Sequence, residues 1–330
     1  MVRCCNNSFI FRPDYLFLYR EEEGLMNILT ISDLSKSFNN QQIINNLNLH
    51  IPAGTIFGLI GKNGAGKTTT MKMILGLLKP DSGYIIVNDE MVKYGQTKTN
   101  RYIGYLPDVP EFYNYMTTQQ YLKLCGEIIG LSKKEIRERT LKLLDLVGLQ
   151  DVEKRIGGFS RGMKQRLGIA QALLSKPKLL ICDEPTSALD PVGRKEILDI
   201  LLKIKGHTTV LFSTHVLSDV ERICDYVAVL NAGKIVTSGT LSEIKALHGH
   251  DQILVEFANT NDLEKFKNSK GIRQYSFQME KYHNQIIISN RNIEMLYKQI
   301  LETITEVNTY PLKLEIVEPS LERLFLEVTK

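Results

Sequence analysis

One ten-residue stretch restricts this chain more than any other. Residues 61–70 read GKNGAGKTTT, after the apolar run 55–60 and before Met71, Ile74, Leu75 and Leu78 at helical spacing. A strand that empties into a glycine-rich turn and then a helix is the setting in which G-x-x-x-x-G-K-[ST] binds phosphate. Gly61, Lys62, Asn63, Gly64, Ala65 and Gly66 would bring backbone N–H groups to the anion, and Lys67 would neutralise charge on the β and γ phosphates. Thr68 and Thr69 open the helix, and the Thr68 hydroxyl is a candidate ligand for Mg²⁺. The motif therefore predicts an α/β fold that holds a nucleoside triphosphate.

A second apolar run, 179–182, ends in the adjacent carboxylates Asp183 and Glu184. A buried parallel strand delivers charge to its C-terminal edge in this way. Asp183 suits the Mg²⁺ shell, while Glu184, aimed differently, suits polarising an attacking water as a general base. A third apolar run, 209–212, ends in Ser213-Thr214-His215, so His215 can reach the γ-phosphate from a neighbouring strand end.

Composition narrows the class. The chain has 330 residues, 43% hydrophobic and 24% charged, which excludes disorder and allows one large or two modest domains. A net charge of +4 does not call for a nucleic-acid partner, though it leaves contact with an anionic membrane surface open. The five cysteines, Cys4, Cys5, Cys125, Cys182 and Cys224, are odd in number and lack paired metal-ligand spacing. That pattern fits a reduced, cytosolic setting better than a disulfide framework. No segment reaches the roughly 18 apolar residues of a membrane-spanning helix, so any work at a membrane would need another chain to cross it.

A further anion grip is written at 157–177. Gly158, Ser160 and Gly162 stand directly before the apolar-periodic run Leu167, Ala170, Leu173 and Leu174, and Pro177 blocks its extension. These pieces, in this order and spacing, resemble an ATP-binding cassette (ABC) ATPase over about residues 27–240. GFSRGMKQR sits where that family carries its LSGGQ signature; Ser160 and Gly162 are kept, while Phe159, Arg161 and Met163 depart from it. The resemblance implies that the signature of one protomer caps ATP held by the phosphate loop of the other, in a homodimer or heterodimer of ATPase subunits, which accounts for two grips in one chain. It also likens Ser187 to Asp190 to the D-loop that crosses this interface, and Phe38 to the aromatic that stacks on adenine. Asp108 stands where the family usually has a glutamine linking the Mg²⁺ site to the helical subdomain. It still presents an oxygen to a hard cation, but is shorter and charged. Phe112, Tyr113, Tyr115 and Met116, in the following loop, form either a docking surface or a patch buried against the helical subdomain. By the resemblance, this region would meet a cytoplasmic helix of a permease.

The expected architecture follows. A P-loop NTPase cassette spans 26–240, with a mixed sheet core, N-terminal antiparallel strands and an inserted helical subdomain at about 108–176. Within it Ser132 and Glu135 read as a capping box opening a helix that stops at Gly148, and 226–236 reads as a closing hairpin. Beyond it, 241–330 shows a βαββαβ order that suggests a small α+β ferredoxin-like domain. Its end, VEPSLERLFLEVTK, resembles the tail of ATPase subunits of bacterial exporters with ABC-2-type permeases. Residues 1–25 read as an arm or an upstream untranslated stretch, with Met26 as the functional start. The functional expectation is an ATP- and Mg²⁺-dependent ATPase at the cytoplasmic face of a bacterial membrane, driving a separate permease, most simply for export. The rival is a soluble cassette ATPase acting on ribosomes or DNA; relatives of that kind usually carry two cassettes or a long coiled-coil insertion, and this chain shows neither. A non-enzymatic nucleotide sensor is opposed by the intact set Lys67, Asp183, Glu184 and His215.

Overall fold

The computed structural model describes residues 26–96, 98–248, 252–280, 284–290, 292–317, 321–322 and 325. The expectation for residues 1–25 and most of the tail resemblance at 317–330 lie outside them. The chain divides between Leu241 and Ser242 into two compact units.

The first unit opens with β1 (Asn27–Phe38) and β2 (Gln41–Pro52), an antiparallel pair turned by Asn39 and Asn40. Both turn residues have positive φ, 47° and 64°, the geometry of a two-residue hairpin whose twist matches its strands. Next come β3 (Ile56–Ile60) and α1 (Lys67–Ile74), then the hairpin β4 (Ser82–Val87) and β5 (Glu90–Met91), turned by Asn88 and Asp89 with the same signs of φ. Together β2, β1, β4 and β5, in that order, make an antiparallel sheet.

The main sheet needs six strands, and β3 is the first. After β6 (Ile103–Leu106) the chain leaves for three helices, α2 (Thr118–Ile128), α3 (Lys133–Leu146) and α4 (Arg161–Leu173). It returns as β7 (Leu179–Asp183), α5 (Pro191–Ile204), β8 (Thr209–Thr214) and α6 (Leu217–Ile223), and ends on the hairpin β9 (Tyr226–Asn231) and β10 (Lys234–Thr240). The order is β10-β9-β3-β8-β7-β6, parallel except for the β9–β10 hairpin. Every residue of β3, β7 and β8 is buried, as expected of parallel strands covered on both faces. The core between this sheet, α1 and the antiparallel sheet is filled by Leu29, Ile31, Leu59, Met71, Ile74, Ile181 and Leu211 among others. Each such side chain contributes about 1.5–3 kcal/mol on burial.

Local signals set the helix ends. Ser132 accepts from the Glu135 N–H while the Glu135 carboxylate accepts from the Ser132 N–H, so the expected capping box is formed. Thr117 and Gln120 build the same box at α2. Leu75 and Leu78 do not extend α1, which stops at Ile74. Gly76, at φ 69°, donates to the Met73 carbonyl and Leu77 to that of Lys72, a glycine-terminated Schellman end. On α4 the expected face, Leu167, Ala170, Leu173 and Leu174, is buried. Cys125, Cys182 and Cys224 are free thiols, the last two buried.

The second unit begins within α7 (Leu241–His248) and continues as β11 (Gln252–Phe257), α8 (Thr260–Lys267), α9 (Lys270–Arg273), β12 (Ser276–Glu280), β13 (Gln285–Ser289), α10 (Ile293–Glu306) and β14 (Pro311–Val317). Its antiparallel sheet runs β12-β13-β11-β14. The two βα units are thereby split around each other, the ferredoxin-like arrangement. A separate core, with Ile253, Val255, Phe257, Phe266, Ile286, Ile288, Leu296 and Ile300, closes it.

Candidate active site

Strands β3, β7 and β8 lie side by side and end at one edge of the main sheet. Register brings Ile60 level with Thr214, and Asp183 level with Ser213. The phosphate-loop motif leaves β3 there. Gly66, at φ 110°, is the left-handed residue before α1, and a Cβ on it would stand 2.4 Å from Ile44 Cδ1. Gly64, at φ 82°, has nothing within 4 Å of where a Cβ would be, so the loop's outer face is open. Lys62, Asn63, Gly64 and Thr68 are exposed there, Thr69 is partly covered, and Gly61 and Ala65 are buried.

Six side chains meet below the loop. Thr68 Oγ1 donates to Asp183 Oδ2 at 2.7 Å, and Ser213 Oγ donates to Asp183 Oδ1 at 2.7 Å. The Glu184 N–H donates to Ser213 Oγ at 3.0 Å, which ties the strand ends together. Lys67, 6% exposed, donates to the Gly61 carbonyl at 2.7 Å and stands 3.1 Å from Glu184 Oε1. That ion pair is off the hydrogen-bonding direction, so Glu184 Oε1 is buried without a hydrogen-bond donor. His215 Nδ1 lies 2.8 Å from Glu184 Oε2. Glu184 itself has φ 49°, a strained value for a carboxylate residue, and such strain concentrates at sites whose surroundings over-determine them.

This donor set fits magnesium triphosphate. Among the described residues no group of three His, Cys, Asp or Glu forms a metal cage. Magnesium is ordinarily held by one or two carboxylates together with water and phosphate oxygens. The Thr68–Asp183 pair offers one hydroxyl and one carboxylate under an open glycine loop, beside a buried ammonium.

The other expected residues lie elsewhere in the unit. Asp108 Oδ1 pairs with Arg161 at 3.1 Å. Ser160 caps α4, accepting from the Met163 N–H at 3.2 Å, with exposed Ser160 and partly covered Gly162 at that helix start. Phe38, 44% exposed, ends β1 with the Lys36 ammonium 5.3 Å from its ring centroid. The aromatic loop is divided: Phe112 packs edge-on against Tyr121 at 5.1 Å, while Tyr113 and Tyr115 are 53% and 64% exposed. Its backbone is pinned to the turn before α4, since Ile156 donates to the Met116 carbonyl and Gly157 to that of Asn114. Ser213 carries no signal of its own in the sequence, where Ser213-Thr214-His215 points to the histidine; strand register sets the serine beside Asp183.

A phosphate loop feeding a helix, two adjacent carboxylates at the end of β7 and three helices inserted after β6 define a P-loop ATPase cassette. The family described as ABC transporter matches residues 44–187, and that described as ATP-binding protein DrrA1-3-like, C-terminal domain, matches 239–329. An uncharacterized ABC transporter ATP-binding protein of Bacillus subtilis, YxlF, is 48% identical over 220 residues, covering 66% of this chain and 72% of its own. The bacitracin transport ATP-binding protein BcrA of Bacillus licheniformis is 40% identical over 67% of this chain and 72% of its own. The linearmycin resistance ATP-binding protein LnrL of Bacillus subtilis is 32% identical, over 92% and 98%. A solved ATP-binding subunit of an ABC transporter superposes with a TM-score of 0.61 at 34% identity, over 67% of this chain and 92% of that one. The chain belongs to the ABC transporter ATP-binding proteins: it binds ATP and couples its hydrolysis to transport. Subunits of this family generally dimerise and work with a membrane permease. No helix among the described residues is long and apolar enough to cross a membrane.

Proposed function

We propose that this chain is the ATPase of a bacterial exporter, peripheral to the cytoplasmic face of the membrane and bound to a separate permease. The reading rests on one observation above the rest: Lys67, Thr68, Asp183, Ser213, Glu184 and His215 converge on one sheet edge. Support for export comes from the names of relatives, which include bacitracin and lantibiotic transport and linearmycin resistance. Bacitracin, lantibiotics and linearmycin are therefore the cargo to test first. No observation favours ribosome or DNA as partner.

In this reading the backbone N–H groups of 61–66, with Thr69, cradle the phosphates, and Lys67 exchanges its contact with Glu184 for phosphate oxygens. Thr68 and Asp183 would hold Mg²⁺, which supplies neutralisation of phosphate charge. Freed of Lys67, the Glu184 carboxylate accepts a proton from the attacking water, and His215, bonded to its other oxygen, holds it in place. Phe38 offers the adenine a ring face. Ser160 and Gly162 serve the nucleotide of a second copy or a close relative. Tyr113 and Tyr115 form the exposed part of the permease-facing surface.

Glu184→Gln tests the reading. The amide cannot accept the proton, while every phosphate contact persists, so ATP binding should survive and steady-state phosphate release fall by at least about 100-fold. Size-exclusion chromatography in Mg·ATP should then show an accumulated dimer. Elution as a monomer under those conditions would refute the two-copy site.

A further inference from the structure

Strand β14 is an edge of the second unit's sheet. It pairs with β11 on one side, Ile316 level with Ile253, Leu314 with Val255 and Lys313 with Glu256. Among the described residues no strand pairs with its other side. Side chains two apart share a face of a strand, so Leu312, Leu314 and Ile316 stand on the face of Ile253 and Val255, towards the second core, and Lys313 and Glu315 stand on the other. The cover stops short of the edge. Ile253 and Val255 are fully buried and Leu314 packs against their core, but Leu312 and Ile316 are 68% and 55% exposed. On the opposite face Lys313 Nζ stands 2.5 Å from Glu315 Oε2, both side chains half exposed.

A row of open N–H and C=O groups beside bare apolar side chains is a template for another strand. The sequence of β14 fits a second copy of itself. Two copies related by a two-fold axis pair antiparallel, and residues directly opposite share a face. A register that sets even-numbered residues opposite odd-numbered ones puts leucine beside charge, against the pleat. Among the others, a dyad at Lys313 opposes lysine to lysine and one at Glu315 opposes glutamate to glutamate, and like charges directly opposite destabilise. Dyads nearer either end pair fewer residues. A dyad at Leu314 meets none of these objections. On one face it sets each Lys313 opposite the partner's Glu315; on the other it sets each Leu312 opposite the partner's Ile316, with the two Leu314 side chains facing each other.

We propose that β14 is a self-pairing edge: two copies of this chain join their C-terminal units through antiparallel β14 strands centred on Leu314, so that two four-stranded sheets become one. The contact needs no nucleotide and does not depend on the two-copy ATP site proposed above. One strand edge from each copy makes an interface of the weak, transient class. It keeps two chains near one another without fixing them together.

The test sediments the full chain, without nucleotide or magnesium, over a range of concentration; thermal melting checks that each variant is folded. The parent should form dimers by about 0.1 mM. Lys313→Glu leaves the charged face wholly acidic and Glu315→Lys leaves it wholly basic, so each alone should dissociate about ten-fold more readily, two attractive pairs having become repulsive. Mixed with each other, these two chains should recover the parent's association, as should the exchanged chain Lys313→Glu/Glu315→Lys. Damage within one chain could not be repaired by mixing. Leu312→Ser should weaken the parent dimer from the apolar face. A parent that stays monomeric at about 0.1 mM, as it would if a permease or the chain's own residues covered β14, overturns the proposal. A dimer that all these variants leave unchanged, or a mixture that associates no better than its members, overturns it too. None of these outcomes bears on the ATP-held dimer expected of Glu184→Gln.

Discussion

Asp183 has both carboxylate oxygens engaged by hydroxyls, Thr68 on one and Ser213 on the other, and Ser213 also receives the Glu184 N–H. One serine thus orients the Asp183 carboxylate and holds the Glu184 backbone. Ser213→Ala removes the bond to Asp183 and the side-chain acceptor for Glu184, inside a fully buried strand. Stability in urea should fall by about 1–3 kcal/mol, and Mg²⁺-dependent phosphate release by about 10-fold or more, as for other residues that orient a metal ligand. Turnover unchanged in a folded variant would remove Ser213 from the site. The roles of Lys67 and Thr68 were legible because the phosphate loop is contiguous, so chain connectivity alone brings its residues together. Ser213 was not, because its meaning comes from a partner 30 residues away, reached only through sheet register.

Helices in the inserted subdomain are specified at their ends by side chains within four residues of the backbone groups they satisfy, which is why a sequence shows them. Ser132→Ala opens the capping box at α3 and should cost about 1 kcal/mol. Hydrogen exchange should locate the loss in the first turn of α3, and undisturbed protection there would deny the cap its role. The end of α1 shows the opposite case. Apolar spacing carries on through Leu75 and Leu78, but Leu77 is 63% exposed and Gly76 turns the chain away. Periodicity reports which residues could share a face; a left-handed glycine decides where the face stops.

At the scale of the molecule, two units carry separate cores. Residues 242–330 bury Ile253, Val255, Phe257, Phe266, Ile286 and Ile288 around a split βαβ sheet. Expressed alone, this unit should unfold in urea in one cooperative transition followed by circular dichroism; gradual loss of signal would mean its core is insufficient by itself. For the first unit, exposed Tyr113 and Tyr115 should matter to assembly rather than to chemistry. Changing both to Ala should leave basal phosphate release within about two-fold, since surface substitutions rarely exceed 0.5 kcal/mol. The same pair of changes should sharply reduce co-purification with the permease. Retained co-purification would point to a different contact surface.

The phosphate loop, the acidic strand end, the capping boxes and the βαββαβ order are each written in consecutive residues, and the sequence alone determined them because short-range sterics and hydrogen bonding need no distant partner. Tertiary structure decided the rest: that Ser213 orients Asp183, that Lys67 rests against Glu184, and that Asp108 meets Arg161. Those pairings join residues 30 to 117 positions apart, and only the parallel packing of β3, β6, β7 and β8 with the helix that follows brings them within reach.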